Sequence, residues 1–316
     1  MLGLFLINHM KKITTILFLF FLGTASSQDT SAEKNLRSKS KDTLSGWDTG
    51  GTSSINITQT ALSNWNAGGQ NSLALNGLLS LFANHRTDNR TWENTLDVGY
   101  GILRQGSRPA IWRKTDDKID FMSKYGRKTT GNWYLAGLAN FKTQMAPGYN
   151  YPNDSIVISK FMAPGYLLGA LGMDYNRNGK LTAFVAPFTS KTTFVLESTL
   201  SNAGAFGVKP GESIRNEFGG YIRMFYKNDI MENINLQTKL DLFTNYLDRP
   251  QNIDVNWEML ISMRVNKYIT VALSTQLIYD HDIKINIDKN GDGIIDAVGP
   301  RVQLKEILGV GLAYTF

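Results

Sequence analysis

The sequence predicts an all-β protein, a transmembrane antiparallel up-and-down β-barrel of about 12 strands and of the outer-membrane type. Three observations predict this fold. Apolar and polar residues alternate with a period of two over most of the chain, the connections between the alternating segments are short and long in turn, and the chain ends on Phe316 within such a segment. Long segments with the 3.6-residue period of a helix do not occur.

The alternation is clearest at residues 252–265, where Ile253, Val255 and Trp257 begin an apolar face and Asp254 begins the polar one. Twelve segments of this kind lie at 52–62, 72–84, 91–104, 116–127, 132–145, 164–176, 180–190, 214–227, 232–247, 252–265, 268–280 and 302–316. Most are longer than the strands of soluble proteins and reach the length that a tilted transmembrane strand needs. Soluble sandwiches also alternate, so the alternation alone does not decide the class.

The connections between these segments alternate in length. Short ones lie at 85–90, 128–131, 177–179, 228–231 and 266–267, and long ones lie at 146–163, 191–213 and 281–301. Short periplasmic turns and longer external loops are typical of outer-membrane barrels. The short connection 248–251 falls on the long-loop side and departs from this pattern.

Aromatic residues recur near the ends of the segments. Trp92 and Tyr100 are eight residues apart on an apolar face, as are Trp133 and Phe141. This spacing places them near opposite edges of an apolar band about 25 Å tall, where outer-membrane barrels carry aromatic girdles. A terminal aromatic such as Phe316 is also similar to the signal by which such barrels are recognised for assembly.

The N-terminus has the pattern of a cleavable signal peptide. Lys11 and Lys12 precede ten apolar-dominated residues at 13–22, and small residues follow up to Ser27. Ten residues cannot span about 30 Å of hydrocarbon as a helix, so an N-terminal membrane anchor is the weaker alternative. The expected organisation is a signal peptide at 1–27, a polar periplasmic tail at 28–50 and a transmembrane barrel at 51–316, located in the cell outer membrane.

The composition excludes several classes of protein. With no cysteine, the chain has no disulfide scaffold, no Cys-based metal site and no Cys nucleophile or lipoprotein anchor. Two of the 33 Lys and Arg residues lie in the leader, which leaves 31 against 27 Asp and Glu residues. Since no basic run or stripe occurs, we expect no nucleic-acid partner. The expected partner is outer-membrane lipid, with a protein partner or small-molecule cargo left open.

The polar faces of the segments predict a lumen without net charge. The acids are Glu93, Asp97, Asp120, Asp174, Glu217, Asp241, Asp254 and Glu258, and the bases are Lys118, Lys124, Lys142, Arg223, Lys227, Lys239, Arg264 and Lys305. A charge-selective pore would carry rings of one sign. Balanced charges fit either a narrow, weakly selective channel or a lumen closed by ion pairs.

The last long loop contains a motif for calcium. The predicted ligands are the side chains of Asp288, Asn290, Asp292 and Asp296 and the backbone carbonyl of Ile294. Gly293 stands where a calcium loop makes its sharp turn, whereas Gly299 replaces the bidentate Glu of an EF-hand. The motif is therefore more similar to dockerin and thrombospondin loops, and bound calcium would stiffen an external loop. The alternative is a polar turn without metal.

We expect no enzymatic activity. His85 lies in a short connection, while His281 lies at the external end of a strand and is similar to omptin-type proteases only in having acids, Asp116 and Asp117, at the same barrel rim. No phosphate-binding glycine loop or HExxH motif occurs.

Several segments resemble exported Bacteroidota proteins of the domain of unknown function 3078. They are Gly50–Gly51 with Leu62–Ser72, Lys114–Lys118, Ala146–Ser155, Asn202–Val208 and Pro250–Glu258, so the resemblance covers about residues 45–316. It implies the compartment and the barrel, and it implies no activity or catalytic residue. The loops 63–71, 146–163 and 191–213 carry much of it, and they form either a binding surface or a packed cover of the barrel mouth.

The predicted function is a membrane channel or transport-related barrel of unspecified substrate. The alternative is a structural or interaction barrel with a closed lumen that works through its calcium-stiffened external loops.

Overall fold

The computed structural model describes residues 45–63, 69–106, 111–151, 153–177, 180–266, 269–287 and 296–315. Its strands are β1 (Gly46–Thr60), β2 (Ser72–Arg86), β3 (Arg90–Gln105), β4 (Trp112–Lys128), β5 (Trp133–Thr143), β6 (Gly148–Tyr149), β7 (Val157–Ser159), β8 (Gly165–Arg177), β9 (Leu181–Phe194), β10 (Ile214–Met231), β11 (Ile234–Asn245), β12 (Ile253–Arg264), β13 (Ile269–Tyr279), β14 (Ile285–Ile287), β15 (Ala297–Gly299) and β16 (Gln303–Thr315).

Twelve of these strands form a closed barrel in the order β1-β2-β3-β4-β5-β8-β9-β10-β11-β12-β13-β16, and β16 pairs back with β1. All neighbours are antiparallel and follow one another along the chain, apart from the closing pair. The predicted up-and-down barrel is therefore confirmed, and each of the twelve predicted segments overlaps one wall strand. β1 begins at Gly46 and so includes the last five residues of the expected tail, while residues 1–44 lie outside the described residues.

Side chains alternate between an apolar outer surface and a polar interior. On the outside, Leu171, Phe188, Leu304 and Leu312 are between 63% and 66% exposed. On the inside of β11, Asn235, Gln237, Lys239 and Asp241 are buried. A soluble protein has the opposite arrangement, with apolar side chains inside. An apolar outside is typical of a barrel that spans a membrane, because lipid contacts the outer wall.

An aromatic cluster marks one edge of the outer wall, at the barrel end where β1 begins. Trp92 and Trp133 are exposed there, and Trp47 packs against Trp92 with ring centroids 5.7 Å apart. Trp133 packs in turn against Tyr175 at 5.0 Å. Tyr100, toward the opposite end of β3, is 40% exposed, as the predicted spacing requires.

The two ends of the barrel differ in their connections. At one end, which we call the short-turn end, β2–β3, β4–β5, β8–β9, β10–β11 and β12–β13 are joined by turns of a few residues. The opposite, long-loop end carries the hairpins β6–β7 and β14–β15, and also helix α1 (Ser198–Asn202) followed by a 3₁₀ turn at Ala205–Gly207. No helix in the described part of the chain is long and apolar enough to cross a membrane.

Candidate functional site

The lumen is the candidate site, since inward side chains of all twelve strands meet there. Near the short-turn end, Lys124 on β4 bridges two acids from other strands. Its Nζ lies 2.9 Å from Asp174 Oδ2 and 3.1 Å from Glu93 Oε2. Next to this group, the Tyr221 hydroxyl donates a hydrogen bond to Asp241 Oδ1 at 2.6 Å.

At mid-height, two further bases meet acids across the lumen wall. Lys239 Nζ lies 2.8 Å from Glu258 Oε2, and Lys142 Nζ lies 3.5 Å from Asp120 Oδ2. The amide of Asn140 donates a second bond to Asp120 Oδ1 at 2.6 Å. In these pairs each base lies directly across the strand boundary from its acid, because Lys239 pairs in register with Glu258 and Asp120 with Lys142.

At the long-loop end, Lys191 on β9 lies among three carboxylates. Its Nζ lies 2.8 Å from Asp254 Oδ2, 3.5 Å from Glu217 Oε2 and 3.8 Å from Asp280 Oδ2. The ammonium also lies 4.9 Å from the centre of the Phe243 ring, a cation–π contact.

Arg215 extends this group toward the last long loop. Its Nη2 lies 2.9 Å from Glu217 Oε1 and also contacts Asp282. We call the ion-paired groups of these paragraphs the lumen network.

Apolar side chains fill one side of the lumen between the charged groups. Phe184 and Ala186 on β9 are 2% and 1% exposed, and they pack with Leu138, Tyr221 and Phe243 on the surrounding strands. This cluster spans β5 to β11. The side chains of the wall thus pack against one another across that half of the barrel, as in a protein core.

Small cavities lie between these groups in the part of the chain that the structure describes. One of about 140 Å³ lies near the short-turn end and is lined by Glu93, Lys124, Asp174 and Arg223, among others. Another of about 30 Å³ lies at mid-height beside Lys239. The larger one has room for a few water molecules and is bordered by charged groups.

The structure brings together most of the predicted lumen charges. Lys124, Lys142, Lys239 and Arg223 each lie within ion-pair distance of a predicted acid. Arg264 is an exception, because its guanidinium donates to Asn233 Oδ1 in the turn that follows β10.

The sequence interpretation missed Lys191, Arg215, Asp280 and Asp282. Lys191 was assigned to a loop because its strand was expected to end at residue 190, whereas β9 continues to Phe194. A β-bulge between Ala186 and Thr189 shifts the inward positions by one residue. Phe184 and Ala186 point inward before the bulge and Thr189, Lys191 and Thr193 after it, so the alternation in the sequence breaks at this point.

The strands β14 and β15 flank the predicted calcium loop in the sequence. Ile285 pairs with Gly299 and Ile287 with Ala297 in an antiparallel ladder. Four of the predicted ligands, Asp288, Asn290, Asp292 and Ile294, lie outside the described residues. Asp296 is described, and no group of three or more His, Asp or Glu side chains with metal-binding geometry occurs among the described residues. Calcium binding stays a prediction.

The acids around His281 have other partners. Asp280 lies near Lys191, Asp282 contacts Arg215, and His281 Nδ1 lies 3.3 Å from the Tyr279 hydroxyl.

Asp117 lies in a separate group at the start of β4, where it holds a long loop. Its carboxylate pairs with Lys114 Nζ at 2.9 Å and accepts hydrogen bonds from the backbone N–H groups of Met145 at 2.7 Å and Ala146 at 2.8 Å. Lys114 Nζ also donates to the Ala146 carbonyl at 2.7 Å. Two of the signature segments, at 114–118 and 146–155, are thereby joined.

The two longest described loops pack on each other. Ala163 and Val195 are fully buried with Val208, and the Leu196 N–H donates to the Met162 carbonyl at 2.9 Å. On the surface of this unit, the hydrogen bond from Lys160 lowers the pKa of the Glu197 carboxyl. Loop-on-loop packing, one of the two interpretations of these loops, is thus present at the long-loop end.

Two solved structures of outer-membrane proteins align with most of the chain. The COG4313 outer membrane channel from Pseudomonas putida F1 is 11% identical, with 87% of this chain and 97% of the channel covered and a TM-score of 0.38. The ferric yersiniabactin uptake receptor FyuA from Yersinia pestis is 12% identical, with 87% of this chain covered and a TM-score of 0.25, and the chain spans 52% of that receptor.

Comparison with known sequences gives one family. No curated protein matches the chain. Residues 57–149 match a family described as protein of unknown function (DUF3078), which confirms the predicted resemblance over that part of the chain.

Proposed function

We propose that the protein is exported through its N-terminal signal peptide and acts in the outer membrane as a narrow channel or transport-related barrel for small polar solutes. The observation that carries the proposal is the polar inner wall, whose charged groups extend from Lys124 near one end to Arg215 near the other. A barrel used only as a scaffold gains no stability from buried ion pairs over apolar packing. A polar lumen is, in contrast, what a hydrated solute needs.

The orientation follows from the position of β1. The strand begins at the short-turn end, and a chain that arrives from the periplasm enters the barrel there. The long loops then face outside the cell, and the Lys191 and Arg215 groups lie at the outer mouth. Calcium bound by the predicted loop 288–296 would act at this mouth by stiffening the loop.

The lumen network predicts weak ion selectivity. Acids and bases alternate around the wall and neutralise each other within a few ångströms, as for Lys239 and Glu258 at 2.8 Å. A passing ion then meets no ring of one sign. The constrictions at Phe184 and Tyr221 predict a small conductance, because the wall side chains pack together on that side.

A second candidate, the closed-lumen interaction barrel, is favoured by the burial of this same cluster. Phe184 and Lys124 are 2% and 8% exposed, and the loops that carry Val195 and Ala163 form a small core of their own above the wall. In this case the surface of the long loops would carry the interaction with a partner. In neither case does the proposal assign catalysis to the rim around His281.

Conductance in a planar bilayer tests the proposal. The refolded protein is compared with Phe184→Ala, which removes a fully buried inward aromatic ring of the constriction, and with Leu171→Ala, which shortens an outward apolar side chain. A channel predicts steady small steps for the original chain, larger steps for F184A and unchanged steps for L171A. Silence of both the original chain and F184A, with heat-modifiable mobility showing that both are folded, would contradict the channel and favour the closed-lumen candidate.

A further inference from the structure

The ladder between β1 and β16 stops partway up the barrel wall. Among the described residues it runs over four pairs and ends at Ile55–Leu312. Both strands extend further toward the long-loop end, since β1 continues to Thr60 and β16 begins at Gln303. On its other side, β16 stays paired with β13 over ten positions. Above the pair Ile55–Leu312, β1 therefore has no ladder partner on β16 in the described part of the chain.

The upper part of this boundary lies within the lipid-facing band. Ile57 on β1 and Val310 on β16 would be the next outward pair if the ladder continued in register, and they are 66% and 65% exposed. Ile55 and Leu312, just below them, are also exposed apolar side chains. Because the apolar outer band of such a barrel contacts lipid, the ladder ends at membrane depth and not above it.

The edge of β1 at residues 56–60 needs water from the lumen side. Lipid offers no hydrogen-bond partner to the backbone groups of an open strand edge, so such an edge is tolerated at membrane depth only where it lines a water-filled cavity or is buried in protein. The inner wall beside it carries small side chains. On β16, Gly309 pairs with Ala272 of β13 and Gly311 with Thr270, which leaves space for water behind the boundary.

The outer surface of the same boundary carries an apolar groove of about 820 Å³. Its lining includes both members of the last ladder pair, Ile55 and Leu312, together with Leu79, Val98 and Ile269. The groove therefore lies where the ladder ends, and it is continuous with the lipid-facing wall. Acyl chains are the apolar chains that a membrane supplies to such a groove.

We propose that the β1–β16 boundary is a lateral opening through which a single-chain amphiphile passes between membrane lipid and the lumen. Its acyl chain lies in the groove, and its head group enters beside Asn56, the first β1 residue above the ladder. Asn56 is 6% exposed, and its Oδ1 accepts no hydrogen bond from the described residues. A head group that donates hydrogen bonds, such as the hydroxyl groups of a monoacylglycerol, supplies the missing donor.

The lateral opening goes beyond the channel proposed above. It needs water on the lumen side of one boundary and not a continuous passage along the barrel axis. The packed side chains around Phe184 lie on β9, on the opposite side of the ring of strands. A barrel that conducts no ions along its axis can therefore still take up an amphiphile through its wall.

Photolabelling in vesicles tests the opening. The refolded protein is placed in phosphatidylcholine vesicles with a monoacylglycerol that carries a diazirine beside its head group, and the adducts are mapped by mass spectrometry after illumination. We expect adducts on inward residues at the boundary, such as Asn56 and Ala272, in addition to adducts on outward residues such as Leu79. Adducts on outward residues alone would overturn the proposal.

A cross-link that closes the boundary separates entry through the wall from entry at the barrel ends. Ile57→Cys with Val310→Cys places two thiols on the outward faces, and a short bismaleimide joins them where direct oxidation does not. We expect the inward adducts to be lost on cross-linking and the outward adducts to persist.

The matched control is a cross-link on a boundary that stays paired. Met263→Cys with Val271→Cys joins β12 to β13 within their ladder, and its cross-link should leave the inward adducts unchanged. Inward adducts that survive the cross-link between positions 57 and 310, or that are lost equally in the control, would contradict a route through the β1–β16 boundary.

Discussion

The β9–β10 boundary and the β1–β16 boundary differ in how the same barrel wall is held together. β9 and β10 pair over twelve residue pairs, from Ile214–Phe194 to Tyr226–Leu181. Among the described residues, β1 and β16 pair over four, from Thr52–Thr315 to Ile55–Leu312. We call the second boundary the closure seam. Its short ladder contributes fewer cooperative hydrogen bonds, so the wall is expected to open first at the seam.

Side chains repeat this contrast inside the barrel. Behind β9 lie Phe184 and Lys191, one in the apolar cluster and the other among three acids. Behind β1 lie Ser54 and Asn56, whose buried oxygens have no donor among the described residues. We call the side of the barrel that carries β9 the packed half, because the apolar cluster lies there.

The outside of the seam differs as well. An apolar groove of about 820 Å³ runs there and is lined by Ile55, Leu79, Tyr100, Ile269 and Leu312, among others. A groove in a lipid-facing wall is filled by acyl chains. The comparison teaches that one barrel can combine a wall with the packing of a protein core and a wall that depends on lipid for part of its packing.

The largest loss of stability is expected from a substitution in the packed half. Lys124→Ala leaves the Glu93 and Asp174 carboxylates facing each other without their shared cation. Removing one partner of a buried ion pair costs about 3–5 kcal/mol, and we expect this loss in the free energy of unfolding. Urea unfolding followed by tryptophan fluorescence measures it. Lys209→Ala, at a side chain 83% exposed, is the control, and equal stability of the two variants would contradict the packed half.

Some features of the barrel are determined by the alternation of residues within a strand, and these could be predicted from the sequence. Others are determined by the register between strands, and these could not. The strands follow from alternation, and residues such as Ile253 and Asp254 indicate their faces directly. The positions of the lumen charges follow from the same alternation, because every second residue of a strand faces the lumen, as Lys239 and Glu258 do. The short ladder of the closure seam could not be predicted, because it depends on the register in which β1 and β16 pair, from Thr52–Thr315 to Ile55–Leu312.

A second prediction sharpens the comparison at the seam. The chain has no cysteine, so Ile55→Cys with Leu312→Cys introduces a single disulfide between residues that face each other in register. Because it closes a very long loop, we expect stabilisation of about 2–4 kcal/mol against urea. Met263→Cys with Val271→Cys, within a hairpin already paired over ten positions, is the matched control and should gain less. Equal gains would mean that the seam is no weaker than the rest of the wall.

The smallest of the three effects concerns the loops above the packed half. Asp117 is 1% exposed at its side chain and accepts the Met145 and Ala146 N–H groups, so Asp117→Ala leaves these donors and Lys114 without it. We expect a loss of about 1–3 kcal/mol, concentrated in the loop. Faster proteolytic cleavage within residues 144–164 measures it. Asp154→Ala, at an exposed loop residue, is the control, and the same cleavage rate in both would show that Asp117 does not hold the loop.

The neighbour order of the barrel has a consequence for how the chain assembles. Every boundary except the closure seam joins strands that are consecutive in the wall and close in sequence, so eleven of the twelve boundaries can form from local contacts as the chain arrives. Contacts between residues far apart in sequence form late, because closing the long loop between them lowers the chain entropy before the contacts contribute any stabilisation. The seam joins residues near 55 to residues near 312. We therefore expect the seam to form in the final and slowest step, when a nearly complete sheet closes on itself.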